Sequence, residues 1–201
     1  MARLSRFVTV AALLGGATVF LSACTGGSDP IASPSPSVST VVTPPPSVSP
    51  SPTPLTDDEL LALIPEDARG EDFLSASNFA KFFVRLYPSM MQNKDSQLFE
   101  ALSDANCVFC NNALGNLADL VASARSMTGG VITVDEQLAS GGLEADGTTN
   151  ASFDAETADT AFLDSAGTVT STIPGRTGRL GVSLRYEVDH WVVLGIGSEG
   201  A

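Results

Sequence analysis

The stretch Leu180-Gly181-Val182-Ser183-Leu184-Arg185-Tyr186-Glu187-Val188 decides the fold. Its alternation sets Leu180, Val182, Leu184, Tyr186 and Val188 on one face, the pattern of a strand buried on one side. Asp189-His190 supplies a bend, and Trp191-Val192-Val193-Leu194-Gly195-Ile196 returns as the partner strand. Upstream, Val131-Ile132-Thr133-Val134 is β-branched, Gly141-Gly142 marks a turn, and Ala151 to Thr157 puts Phe153, Ala155 and Thr157 on one side. A further strand from Thr168 to Ile173 is broken by Pro174-Gly175.

Before residue 131 the period changes to that of helices. Ala76, Phe79, Ala80, Phe83, Tyr87 and Met90 recur at spacings of three and four, which predicts a helix from Glu71 or Ser75 to Met91. Phe82 and Leu86 widen its core face, and Pro88 predicts a kink or an early end. Asp95 caps a short helix through Leu102 with Phe99 and Leu102 inward. Leu114, Leu117, Val121 and Ala124, with Leu120 alongside, predict a third helix from Cys110 or Asn111 to Met127, stopped by Gly129-Gly130. A short docking turn precedes all three, where Asp57-Asp58-Glu59 leads into Leu60, Leu61, Leu63 and Ile64, and Pro65 ends it. Helices first and an antiparallel sheet second is the α+β class, with a curved sheet wrapping the long helix.

This domain occupies residues 57–201, about 145 of the chain's 201 residues, enough for one ordinary core. Thr25 to Thr56 is different material: 32 residues with nine prolines, eight serines, five threonines and a single charge at Asp29. With no large side chain to seed a core, ordering it would cost entropy without return. Residues 24–56 therefore read as a semi-rigid, disordered spacer. In front of it, Arg3 and Arg6 precede an uncharged run from Phe7 to Ala23, 17 residues or about 25 Å of helix, short for a membrane span. Residues 1–23 read as a secretory signal. Leu21-Ser22-Ala23-Cys24 resembles the lipobox of bacterial lipoproteins, which implies diacylglyceryl transfer to the Cys24 thiol and cleavage after Ala23. Two acyl chains give stable attachment, at roughly 0.8 kcal/mol per buried methylene. The expected place is the extracytoplasmic face of a bacterial cell membrane.

Charge agrees with exposure to solvent and argues against nucleic acid. The chain carries 10 basic and 23 acidic residues, net −13; loss of Arg3 and Arg6 leaves 8 against 23, or −15. Phosphate backbones need a basic surface, and anionic lipid would repel this domain, so lipid and spacer must do the anchoring.

Three features coincide in Phe79-Ala80-Lys81-Phe82-Phe83-Val84-Arg85-Leu86-Tyr87, in Ala105-Asn106-Cys107-Val108-Phe109-Cys110 followed by a helix, and in the terminal hairpin through Tyr186 and His190-Trp191-Val192-Val193. Together with the lipobox and the proline-rich leader they resemble an uncharacterised family of actinobacterial lipoproteins that contain a Cys-x-x-Cys. The resemblance spans roughly residues 71–197 and implies an NTF2-like or SnoaL-like cone, with no established catalytic activity.

Cys107 and Cys110 have the spacing of a redox dithiol, and a helix N-terminus there would lower the first thiol's pKa. A thioredoxin-like site, however, wants a strand just before the motif, and here a helical segment precedes it. With Cys24 taken by lipid, an even pair remains in an oxidising compartment, which favours a disulfide locking the bend between two helices. Thiol exchange and metal binding stay as alternatives, the latter with only one histidine in the chain.

Catalytic candidates are few. A cone enzyme needs a base facing its cavity. His190 sits at the expected turn, and Asp154, Glu156 and Glu187 fall on strand positions opposite Phe153, Ala155 and Tyr186, hence outward. None is nominated as catalytic, and no cofactor or metal is called for. Tyr87, Tyr186 and Trp191 are candidates to line a pocket, or ordinary core. The reading favoured is a non-catalytic binding or accessory domain for an envelope protein or a small apolar ligand. Its rivals are a SnoaL-like small-molecule enzyme or carrier, which requires a deep pocket with a buried carboxylate or His190 inside, and a thiol oxidoreductase, which requires Cys107 exposed.

Overall fold

The side chain of Thr56 caps the first helix, α1 (Asp57–Leu63), and Glu59 reaches back to the Thr56 N–H at 2.9 Å, closing a capping box. The computed structural model describes residues 54–137 and 139–199. The expected signal, Cys24 and the expected spacer up to residue 53 lie outside the described residues. After a 3-10 turn (Glu66–Ala68), the long helix α2 (Phe73–Asn93) starts at Asp72, whose carboxylate accepts the Ser75 N–H at 2.9 Å. Helix α2 runs on past Pro88 to Asn93. Proline inside a helix costs about 3 kcal/mol, and burial of Phe83, Val84, Pro88, Met90 and Met91 offsets it. Its core face is the expected one: Ala76, Phe79, Ala80, Phe83 and Met90 are buried.

Helix α3 (Gln97–Ala101) buries Phe99, and Leu102 follows it inward. Helix α4 (Val108–Ala122) begins earlier and ends earlier than expected. Its buried positions are Cys110, Ala113, Leu117 and Leu120, whereas Val121 is 51% exposed and Ala124 is also exposed. The stripe is rotated because buried Cys107 and Cys110 anchor the first turn, and the three- and four-residue spacing runs on from Cys110. Ala124 terminates the helix by turning left-handed (φ 50°), so that the Arg125 N–H bonds to the Leu120 carbonyl at 3.0 Å. Met127 therefore belongs to a strand.

Eight strands follow among the described residues: β1 (Ser126–Gly129), β2 (Ile132–Val134), β3 (Ser140–Leu143), β4 (Thr148–Thr157), β5 (Thr160–Leu163), β6 (Val169–Ile173), β7 (Arg176–Glu187) and β8 (His190–Glu199). All neighbours are antiparallel, in the orders β1-β5-β6 and β2-β4-β7-β8, with β3 also on β4. The two sheets are one bent sheet, because β1 runs into β2, β4 into β5, and β6 into β7 across three corners that meet. The Gly130 N–H bonds to the Asp159 carbonyl at 2.9 Å, and the Asp159 carboxylate takes the Gly175 N–H at 2.7 Å. A Cβ on Gly129 would lie 2.1 Å from the Asp159 carbonyl oxygen, so Gly129, at φ +76°, ends β1 at the corner rather than stopping a helix. Helix α2 touches strands on both sides of the corner and so lies inside the bend. This is the expected α+β class, helices packed on a curved antiparallel sheet.

Two expected turns move. Gly141-Gly142 lies within β3, where a Cβ on Gly141 would come 1.8 Å from the Asn150 carbonyl oxygen; the turn falls at Ala145-Asp146-Gly147 instead. At the terminal hairpin, the turn is Val188-Asp189. Val188 is 96% exposed at φ 55°, and His190 is a strand residue paired with Glu187. The chain reverses in the fewest residues available, with the Asp189 N–H bonded to the Glu187 carbonyl, so Val188 leaves the core face on which alternation placed it.

The core fills the bend. Phe79 packs on Phe83, and Phe83 stacks on Phe99 at 4.6 Å, beside Trp191, Ile64, Met91, Leu184 and Val182. The helical half is tied to the last strand, since Val193 donates to the Leu102 carbonyl and accepts from the Asp104 N–H, both at 2.9 Å. One flank of α2 is stitched to the segment before β3. Ser77 Oγ accepts the Ala139 N–H at 3.1 Å, Lys81 Nζ donates to the Gln137 carbonyl and Arg85 pairs with Glu136; farther along the helix, Gln92 reaches the Gly129 carbonyl at the end of β1 at 2.8 Å.

Candidate functional site

The three aromatic candidates fall in two places. Trp191 is 1% exposed; its indole N–H donates to the Gly70 carbonyl at 2.7 Å. Tyr186 meets the indole edge-on at 5.1 Å and donates its hydroxyl to the Arg69 carbonyl at 3.1 Å. The pair brackets the connection into α2. Burial, then the charges of Glu71 and Asp189, push the Tyr186 hydroxyl above its usual range. Tyr87 packs instead on Phe109 at 5.9 Å, and burial raises its hydroxyl too.

Cys107 and Cys110 are joined by a disulfide with Cα atoms 5.2 Å apart. Cys107 is the N-cap of α4, and its sulfur accepts the Cys110 N–H at 3.1 Å. The helix N-terminus foreseen for a reactive thiol is thus present. Both cysteines are 0% exposed, however, so no attacking thiolate reaches them without opening of the fold.

The carboxylates lie outside. Asp154 and Glu156 face solvent on β4, as alternation predicted. With Thr133, Asp135, Thr177 and Arg179 they line an open cleft of about 520 Å³ across β2, β4 and β7. Asp154 faces Arg179 in register and accepts from it at 3.4 Å, while the other arm of the guanidinium donates to Ser140. Glu187 is also outward and pairs with Arg185, whose other partner is Asp104 at 3.0 Å. The Asn106 N–H and then Arg185 hold the Asp104 carboxyl below its usual range. The sequence signal for this group is the Asp104-x-Asn106 turn, in which Asp104 accepts the Asn106 N–H at 2.8 Å; nothing local points to Arg185.

His190 differs from expectation. Its side chain is 17% exposed on β8, and Nδ1 contacts the Asp189 carboxylate at 2.9 Å. Pairing with Glu187 in the strand ladder draws it out of the turn and against the sheet. Among the described residues, the buried polar side chains are Ser75, Ser77, Lys81 and Thr149; none is a carboxylate. Lys81, only 3% exposed, is a residue that sequence periodicity did not mark. Among the described residues there is no cluster of three metal-ligating side chains, and no helix is long and apolar enough to cross a membrane.

No family model matches the chain, and no curated protein matches it. Solved structures similar to it include the intermembrane space region of the chloroplast protein ARC6, at 13% identity and TM-score 0.43, covering 61% of this chain and 95% of that one. The beta subunit of the benzoate 1,2-dioxygenase from Burkholderia mallei is similar at 7% identity and TM-score 0.40, covering 59% and 86%. A putative polyketide cyclase from Xanthomonas campestris is similar at 9% identity and TM-score 0.30, covering 61% and 90%.

Proposed function

We propose that the chain is an extracytoplasmic lipoprotein whose folded part is a non-catalytic binding or accessory domain. Diacylglyceryl on Cys24 anchors it to the outer face of a bacterial cell membrane, and the proline-rich residues that precede Leu55 and the Thr56 cap hold it off the lipid. The observation that carries the non-catalytic reading is the division of chemistry between the two faces of the sheet. The space inside the bend is filled by Phe79, Phe83, Phe99 and Trp191, while Asp135, Asp154 and Glu156 stand on the outside. General acid–base catalysis needs a carboxylate or imidazole held against substrate away from water, and the outer cleft is open to solvent. An open polar cleft suits an envelope protein better than a small apolar ligand. A disulfide fits the oxidising side of the membrane.

The test has two parts. Cys24→Ala in the full chain should abolish incorporation of labelled lipid and mislocalise the protein; retained lipid labelling in that variant would overturn the anchor. Crosslinking in intact envelopes should capture a protein partner that Asp154→Asn with Glu156→Gln loses. A small molecule found between α2 and the sheet, and turned over there, would overturn the non-catalytic reading in favour of a SnoaL-like enzyme.

A further inference from the structure

We propose that Arg125, held on the face of Phe162, is a binding site for an oxyanion: a carboxylate or phosphate group presented by a ligand to the outer nitrogens of the guanidinium. The proposal concerns the opposite end of α4 from the disulfide and is independent of the reading of the outer cleft.

Three observations carry it. The first is placement. Helix α4 ends with Ala124 in the left-handed region (φ 50°), a position that glycine fills at less cost. The resulting turn swings Arg125 off the helix and over β5, where its guanidinium carbon lies 5.3 Å from the centre of the Phe162 ring. The backbone accepts local strain, and the product is a fixed guanidinium.

The second is incomplete compensation. The chain has 23 acidic residues against 10 basic ones, and of the described arginines Arg85, Arg179 and Arg185 have carboxylate partners while Arg176 stands exposed in solvent. Arg85 pairs with Glu136, Arg179 with Asp154, and Arg185 with Asp104 and Glu187. Arg69 donates its Nε to the Ile64 carbonyl at 2.8 Å. Arg125, among the described residues, has no ion pair, and its Nε is buried with no hydrogen-bond partner. A cation stripped of water on one edge and one face gains more from an incoming oxyanion than a fully hydrated one does.

The third is preorganisation. Contact with an aromatic face holds the guanidinium in place without using its N–H groups. With Nε sunk, the two terminal nitrogens are the ones left to present, and they match two oxygens of one carboxylate or phosphate. Phe162 lies in register between Met127 on β1 and Ser171 on β6, and Ser171 is exposed. The site therefore offers a cationic fork, an aromatic edge and a hydroxyl on one surface. Little side-chain entropy is lost when a ligand arrives.

The test is ¹⁵N NMR of the arginine side-chain N–H groups in the full chain, titrated separately with sodium acetate, inorganic phosphate, and vesicles containing phosphatidylglycerol. Exposed Arg176 is the internal control for unspecific anion effects. The expected result is a saturable shift of the Arg125 resonance, at least several-fold larger than that of Arg176, in one or more arms. Saturation by acetate identifies a carboxylate ligand, saturation by free phosphate a soluble phosphate ester, and saturation by vesicles alone a lipid headgroup. Arg125→Lys keeps the charge but loses the fork, and should weaken binding at least several-fold with the amide spectrum otherwise intact. Phe162→Leu should weaken it by a smaller factor. Linear shifts in every arm that match those of Arg176, or undiminished binding by Arg125→Lys, would overturn the proposal.

Discussion

The carboxylate of Asp159 accepts the backbone N–H of Gly175 at 2.7 Å, so one corner of the bent sheet holds the next. The carbonyl of Asp159 accepts the Gly130 N–H at the third corner, so the side chain and the backbone of a single residue join the three corners. Asp159→Ala should lower unfolding free energy by about 1 kcal/mol, the net worth of a hydrogen bond. Asp159→Asn, which keeps an acceptor, should lose less. Gly129→Ala should lose more than either, at least about 2 kcal/mol, because it meets the Asp159 carbonyl and an unfavourable φ together. Urea unfolding of the three variants gives the order directly.

Val188 is a β-branched residue at φ 55° and almost wholly in solvent. Glycine adopts that conformation without a steric penalty, and nothing packs on the valine. Val188→Gly should stabilise the domain by about 1 kcal/mol, seen as a rise in melting temperature. A fall would show that the added freedom of glycine in the unfolded chain outweighs the strain relieved at this turn.

Trp191 offers two separable contributions. Trp191→Phe removes the hydrogen bond to Gly70 and should cost about 1–2 kcal/mol; Trp191→Ala also empties the core and should cost about 3–5 kcal/mol. An undiminished stability of Trp191→Phe in chemical unfolding would show that the Gly70 contact contributes nothing; equal losses in the two variants would show that packing of the remaining ring does not contribute.

The disulfide closes a very short loop, so its hold on the unfolded chain is slight. Replacing both cysteines by alanine should leave a folded domain with a melting temperature lower by a few degrees. In the native protein the bridge should resist mild reductant, and alkylation should appear only on adding denaturant. Rapid native labelling of Cys107 would revive the thiol-exchange reading.

Acid should unfold the domain through identifiable groups. Glu59, Asp72, Asp104 and Asp146 all hold their carboxyls below the ordinary range, by bonds from Thr56, Ser75, Asn106 and Thr148 respectively, with Arg185 adding to Asp104. A depressed carboxylate stabilises the fold above its unfolded pKa and loses that contribution as pH falls toward its folded one. Melting temperature should therefore be flat near neutrality and fall below the normal carboxylate range. Asp72→Ala, which removes the cap of α2, should flatten part of that fall.

Elements that bury one face were legible in the sequence, and their ends were not. The alternation of Leu180, Val182, Leu184 and Tyr186 and the stripe of Phe79, Phe83 and Met90 follow from local periodicity. The end of α4 depends on Ala124 turning left-handed, and the hairpin turn on Val188 doing so, which are conformations these residue types rarely announce. Gly141 looked like a turn because close backbone approach and chain reversal both call for glycine. The cysteine pair could be read from spacing. The joining of Arg185 to Asp104, of Lys81 to Gln137 and of Arg125 to Phe162 could not, because each needs the chain folded before the two partners meet.

The two bonds that join Val193 to Leu102 and Asp104 carry a consequence for the order of events in synthesis. These neighbours of the helical half wait for a strand made after the seven others of the sheet. A chain delivered N-terminus first, from a ribosome or through a translocation pore, has its helices before it has the surface that locks them. Until residues 190–199 emerge, the helical half stays pliable, and the final strand acts as the closing event.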